Sequence, residues 1–235
     1  MIGTLAVAAA LSGALSLTPA TVERPARAGE GDTVTIVNNS KRDLRITVTP
    51  RPWRQGGEGT VAADRRRGLG RFVRVSDFAF TLDAGEHRDV DVTLTRVPER
   101  GSLYGALEVI GRPARARKGI TFAYRLIGTL RYRPSAAART LRLRAGSIGL
   151  GGRGLTLDVR NLGNTIDPVG GDVFVSGPRG GRSSGIAATK ILPGKSVHLR
   201  LLSLRGLRAG RYTAQVTLTQ RGRNRVSVTR RFRIR

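Results

Sequence analysis

Cysteine is absent from all 235 residues. That excludes disulfides, thiolate metal sites, cysteine nucleophiles and a lipid carried on an N-terminal cysteine. If the chain is exported, its fold must be held by burial alone. Histidine is almost as scarce: His87 and His198 lie in opposite halves and, without cysteine, cannot assemble a metal cluster. Aromatic residues make up only 5%, so any core has to be built from valine, leucine and isoleucine. Acidic residues are few, 16 against 42 basic ones, for a formal net charge of +26. The basic residues are nearly all arginine; Lys41, Lys118, Lys190 and Lys195 are the only lysines. No stretch keeps a helical period.

The scarcity extends to catalytic groups. Gly149-Leu150-Gly151-Gly152-Arg153-Gly154 spells the glycine fingerprint of dinucleotide sites, which needs a helix to follow so that phosphate meets its N-terminus. Here the alternating run Leu155–Val159 follows, so the glycines are expected to form a hairpin turn. Gly181-Arg182-Ser183-Ser184-Gly185 spells a nucleophile elbow, but no acid follows Asp172 and the one downstream histidine, His198, sits in a strand-like run. This segment is expected to be a loop. Asp89 and Asp91 share a strand face that reads as solvated exterior. Nucleophile, base and oxyanion donors are nowhere brought together, so no enzyme and no cofactor are expected.

What is present is period-two alternation. Val34 and Ile36, then Val90, Val92 and Leu94, alternate with polar residues. A long run places Ile120, Phe122, Tyr124, Leu126, Gly128, Leu130 and Tyr132 on one face and Arg125, Arg131 and Arg133 on the other. The second half continues with Leu155/Leu157/Val159, Val197/Leu199/Leu201 and Tyr212/Ala214/Val216/Leu218, and ends with Val226/Val228 and Phe232/Ile234. Arg230 interrupts that last series, which marks a bulge or an edge position. Short alternating runs separated by Gly, Pro and Asn indicate an all-β chain of antiparallel sandwiches.

The two halves also match each other. Asn38-Asn39-Ser40 ends one strand and Asn161-Leu162-Gly163-Asn164 ends its counterpart. Leu82-Asp83-Ala84-Gly85-Glu86 corresponds to Ile191-Leu192-Pro193-Gly194-Lys195, and Tyr104-Gly105-Ala106 to Tyr212-Thr213-Ala214. The register predicts duplicated β-sandwiches, residues 15–134 and 135–235, divided where Pro134 stops the long strand. Ahead of them, the uncharged run Ile2–Leu15 with small residues at Ser12-Gly13-Ala14 fits a signal peptide of residues 1–14, although no basic residue precedes it. This predicts a secreted or cell-envelope protein.

Two places could hold an anion. The stretch from Pro50 to Arg71 breaks the alternation and reads as a long loop. In it Trp53 stands between Arg51 and Arg54 and could stack on a sugar, with Arg65, Arg66 and Arg67 nearby. In the second half, 20 basic residues face 3 acidic ones over 136–235. If the strands near 141–145 and 225–235 are neighbours, Arg142, Arg144, Arg231, Arg233 and Arg235 share an outer face suited to phosphate or carboxylate.

Leu17-Thr18-Pro19-Ala20, Val34–Asn39, Leu82–Glu86, Gly101–Ile110, Asn161–Asn164 and Gly210–Ala214 together resemble the extracellular modules of WxL-interacting proteins of Gram-positive bacteria. The resemblance implies one immunoglobulin-like domain for peptidoglycan and a second for a host or partner protein. That family's C-terminal membrane helix and basic tail have no counterpart before Arg235, so no span is expected after signal removal. The same pattern occurs in periplasmic pilus-chaperone-like domains and in accessory sandwiches of carbohydrate enzymes. The leading expectation is therefore a scaffold or adhesin holding peptidoglycan or another anionic wall polymer, or another surface protein. The alternative is an assembly partner that works by β-strand addition. Nucleic acid is not expected, because the arginines are not interleaved with aromatics.

Overall fold

A computed structural model describes residues 13–115, 122–151, 154–178, 180–222 and 224–234. Most of the expected signal segment, residues 1–12, lies outside the described residues, as does Arg235. The chain is all-β, and no helix occurs among the described residues. No helix there is long and apolar enough to cross a membrane. Two compact units form. One takes in the chain up to Pro52 with Ala63–Val97 and Leu103–Tyr132; the other takes in Trp53–Ala62, Pro98–Ser102 and Arg133–Arg235.

The strands of the first unit are β1 (Leu15–Thr18), β2 (Thr21–Pro25), β3 (Gly31–Asn38), β4 (Leu44–Gln55), β5 (Val61–Ala63), β6 (Val73–Val75), β7 (Ala79–Leu82), β8 (His87–Leu94), β9 (Leu103–Pro113) and β10 (Tyr124–Arg133), the ends of β4, β5 and β10 passing into the second. One sheet runs β1-β3-β8-β6; the other runs β2-β10-β9-β4-β5, with β7 also on β4. Period-two residues turn inward from both sheets: Val34 and Ile36, Val90 and Val92, Leu107 and Val109, Leu130 and Tyr132 form one core. On the outer face, Thr33 and Thr35 donate their hydroxyls to Asp91 (2.7 Å) and Asp89 (2.6 Å) directly across the ladder, so the two acids are structural.

Tyr132 is fully buried, and its hydroxyl donates to the Val92 carbonyl at 3.2 Å. Burial, reinforced by Asp32 and opposed by Arg24, pushes the phenol from 10.0 to about 12. A raised acid pKa in the folded state means that this stabilisation is complete below pH 10.0 and is lost as pH rises through about 12. Tyr132→Phe is expected to cost roughly 1–2 kcal/mol at neutral pH by stranding the carbonyl, and to remove this part of the alkaline unfolding. Urea midpoints across the pH range check it; an unchanged alkaline limb would refute the assignment.

The second unit contains β11 (Leu143–Gly151), β12 (Gly154–Asn161), β13 (Val169–Gly177), β14 (Gly180–Thr189), β15 (Ser196–Leu202), β16 (Gly210–Gln220) and β17 (Asn224–Ile234). Its sheets are β11-β12-β15 and β14-β13-β16-β17, enclosing a core of Leu155, Leu157, Val159, Val173, Val216, Leu218 and their neighbours. The Gly149–Gly154 motif falls on the β11–β12 hairpin, with Gly151 opposite Gly154. Gly154 has φ +130, and a Cβ there would meet the Leu202 carbonyl at 2.3 Å, so only glycine fits. The Gly181–Gly185 motif is not the expected loop: it lies within β14, extended by pairing with β13. Arg230 marks an edge rather than a bulge, since β17 pairs with β16 without a register shift and ends its sheet.

Both units build the same corner. The buried Asn38 side chain donates to the carbonyls of Leu82 (3.0 Å), Asp83 (2.9 Å) and Arg42 (2.8 Å). The buried Asn161 donates to Ile191 and Thr165, each at 2.7 Å. The Gly85 amide donates to the Asn38 carbonyl and the Gly194 amide to that of Asn161. Both glycines have positive φ, +81 and +77. An asparagine that ties off a strand end and a glycine that turns back to it are what the matched sequence segments encode.

Candidate functional site: an open strand edge beside a buried carboxylate

Thr129 donates its amide to the Ala20 carbonyl, so the odd-numbered residues of β10 turn their N–H and C=O groups away from β9. From there β2 runs alongside the C-terminal half of β10, where Arg131 meets Glu23 at 3.3 Å. Among the described residues no strand lies beside the N-terminal half, so the backbone groups of Arg125 and Ile127 face outward. The apolar row of β10 emerges from the core along this stretch. Tyr132, Leu130 and Gly128 are buried, Leu126 and Tyr124 half-buried, and Phe122, just before the strand, is 70% exposed. Leu17 packs on Gly128, where a Cβ would lie 2.8 Å from its Cδ2, and Leu15 reaches Gly111 beside Tyr124. Among the described residues β1 pairs with β3 alone. The result is an apolar slot bounded by an unpaired backbone edge.

Behind this edge, on the outer face of the same sheet, is Glu108 of β9. Its side chain is 2% exposed. Arg125 of β10 approaches one carboxylate oxygen at 2.7 Å, Arg51 of β4 the other at 3.0 Å, and Arg65 stands at 3.5 Å. Burial raises the Glu108 carboxyl, but the hydrogen bonds from Arg125 and Arg51 outweigh it, and the group is held below the ordinary glutamate value. Arg51 also donates to the carbonyls of Arg65 (3.2 Å) and Arg67 (3.3 Å), fastening the following turn over the sheet. Leu69 then seats on Gly105, where a Cβ would clash at 2.6 Å.

This changes the reading of the arginine stretch. Pro50 to Arg71 is not one long loop, because β4 continues through it to Gln55. Two prolines sit in β4 without breaking its pairing with β9: the Pro50 and Pro52 carbonyls accept from Leu69 and Asp64 on the opposite side, so the missing amides would have faced away from β9. Arg51 and Arg65 are engaged by Glu108, while Arg66 and Arg67 remain exposed. Trp53, half-buried, and Arg54, exposed, belong to the second unit. The expected sugar-and-anion cluster is therefore not assembled in the first unit.

The second arginine group is divided as well. β11 and β17 end different sheets, so Arg142 and Arg144 are not on the face that carries Arg231 and Arg233. All four are exposed. Arg230, on the inward row of β17, donates to the Ile148 carbonyl of β11. Sequence reasoning missed Glu108 and the pairing of Arg125 with it. The available signal was a lone acid within the apolar run Leu107-Glu108-Val109-Ile110. His198 contacts Asp158, its cross-strand partner, and no cluster of metal-ligating side chains occurs among the described residues.

No protein-family model matches the sequence, and no curated protein matches it. Solved structures do share the fold. The chaperone–tip adhesin complex of CFA/I fimbriae biogenesis matches with a TM-score of 0.54 at 14% identity, over 92% of this chain and 97% of that one. The class 5 fimbriae chaperone CfaA matches with 0.52 at 13% identity, over 92% and 98%. The all-β, two-sandwich, immunoglobulin-like architecture is thus that of these chaperones along nearly the whole chain. The resemblance to WxL-interacting modules is overturned by this result, and with it the peptidoglycan or wall-polymer scaffold and its wall partners. The physical reason is visible in the site: Arg51 and Arg65 are engaged by Glu108, and Arg142 and Arg144 are on a different sheet from Arg231 and Arg233.

Proposed function

We propose that this chain is an exported, non-catalytic assembly chaperone, which takes an extended strand of an envelope subunit onto the open half of β10. The observation that supports this most directly is the unpaired edge at Arg125 and Ile127, beside an apolar row that ends in exposed Phe122. An unprotected apolar edge is an aggregation hazard unless it has a partner. Strand addition satisfies the backbone groups and seats alternate apolar side chains in the slot. The fold shared with a chaperone–adhesin complex accords with this reading. An envelope location is part of the same proposal, in keeping with the uncharged run Ile2–Leu15 at the start of the sequence.

The test uses the outward amide. Ile127 is 37% exposed, and its N–H faces away from β9. Ile127→Pro deletes that donor while sparing the ladder to β9, whereas Ile127→Ala keeps it. With a synthetic peptide of alternating valine and serine as probe, hydrogen exchange at Arg125 and Ile127 is expected to slow in the parent and in Ile127→Ala, but binding is expected to fail in Ile127→Pro. Equal binding by the proline variant would rule out strand addition here.

A further inference from the structure

In the first unit the chain passes from β1 to β2 and so covers half of the last strand's edge. In the second unit β11 stays in its own sheet, and among the described residues no strand pairs with the outer edge of β17. The strand is 11 residues long, and β11 comes close beside it where Arg230 reaches the Ile148 carbonyl, without forming a backbone ladder to it. The outward row of β17 includes Ser227, Thr229, Arg231 and Arg233. Arg233 stands directly opposite Arg211 of β16, and Arg231 opposite Thr213. Like charges directly opposite on a sheet destabilise it, yet none of these three exposed arginines makes an ion pair among the described residues.

The acids of the second half do not relieve this charge. Asp158 contacts His198 and Asp167 pairs with Arg221. Asp172 lies on the outer face, in the cross-strand row of Thr217 and Ser227, well along β17 from Arg231. Arginines on an edge strand ordinarily repel unwanted pairing. Here they also define what would be accepted.

We infer that β17 is a second strand-addition edge, and that its occupant is an extended acidic segment of a partner protein, with Asp or Glu at alternate positions. Such a segment would place carboxylates about 5 Å across from Arg231 and Arg233, within reach of bidentate guanidinium contacts. Its backbone would pair with β17, and the charge would offset the Arg211–Arg233 repulsion. This inference does not depend on the β10 reading, since the two edges belong to different units.

The experiment uses the full chain and a fluorescein-labelled peptide alternating glutamate and threonine, with anisotropy as the readout at low and high salt. Binding is expected at low salt and is expected to weaken as salt rises. The double variant Arg231→Glu, Arg233→Glu should bind at least about tenfold more weakly, and a peptide alternating lysine and threonine should not bind. An acidic peptide N-methylated at alternate residues keeps its charge but cannot pair, so it should also fail. Equal binding of the N-methylated peptide would reduce β17 to a charged surface and overturn the proposal. So would absence of binding, or displacement by a single-stranded oligonucleotide at lower concentration than by free acidic peptide. Circular dichroism confirms that the variant, altered only at exposed positions, is folded. Ile127→Pro is expected to leave this binding unchanged, which separates the two edges.

Discussion

Glu108→Ala is expected to destabilise the first unit by about 3 kcal/mol, because a buried acid that neutralises several cations costs more to remove than an exposed one. The value is set below the top of the range for buried pairs because Arg125 (37% exposed) and Arg65 (64% exposed) can turn to water once released. Arg51, 22% exposed, has less freedom and loses its carboxylate acceptor. The turn after β5 should loosen with it, since Arg51 no longer holds the Arg65 and Arg67 carbonyls in place. Trypsin would then cut at Arg65, Arg66 and Arg67 faster than in the parent. Urea denaturation and a timed digest read both effects; an unchanged midpoint with unchanged cleavage would show that the cluster is ornamental. The acid limb gives an independent check. Because the folded Glu108 carboxyl is held low, its contribution is present above the ordinary glutamate value of 4.5 and fades as pH falls through the lower folded value. Glu108→Gln should flatten that limb below pH 4.5.

The second large effect is expected at the duplicated corner. Asn161→Ala strands the carbonyls of Ile191 and Thr165, both served by one buried side chain, and leaves the Gly163 amide with the Arg142 carbonyl as its remaining acceptor. At roughly 1–3 kcal/mol for each buried group left unsatisfied, with water repairing part of the damage, the loss should be about 3 kcal/mol. Asn38→Ala should cost a similar amount in the first unit, where Ser40 also donates to the amide oxygen. Because the two units have separate cores, each variant should lower the transition of its own unit, as calorimetry can resolve. Asn161→Asp is the sharper probe: it removes both donors and turns a carboxylate toward two carbonyls, so it should be worse than alanine. A milder aspartate would mean that these hydrogen bonds are not what holds the corner.

The corner was readable in advance because its parts are local and repeated. Asparagine at a strand end and glycine at a turn have few alternatives, and the same spacing occurs twice. The Pro50–Arg71 stretch was misread for the opposite reason. Prolines and glycines carry strong local loop signals, and only the side on which β9 lies makes Pro50 and Pro52 harmless within β4. The arginine face failed on connectivity: alternation places Arg231 and Arg233 on the outer row of β17, but it does not say that β11 ends the other sheet. The slot at β10 lay half within view. Its apolar row from Phe122 to Tyr132 is plain in the sequence, while the gap beside Arg125 and Ile127 arises from where β2 runs.

Alternation, turn residues and the internal match determined by themselves that this chain makes two β-sandwiches, which side of each strand is buried, and that cysteine chemistry is excluded. These are properties of residues a few positions apart, and a period of two admits one pattern of burial. Tertiary structure alone decided which cations meet Glu108, which arginines share a face, and which strand edges are left open. Those depend on the order of strands within a sheet, and hydrogen-bond partners far apart along the chain leave no periodic trace in it.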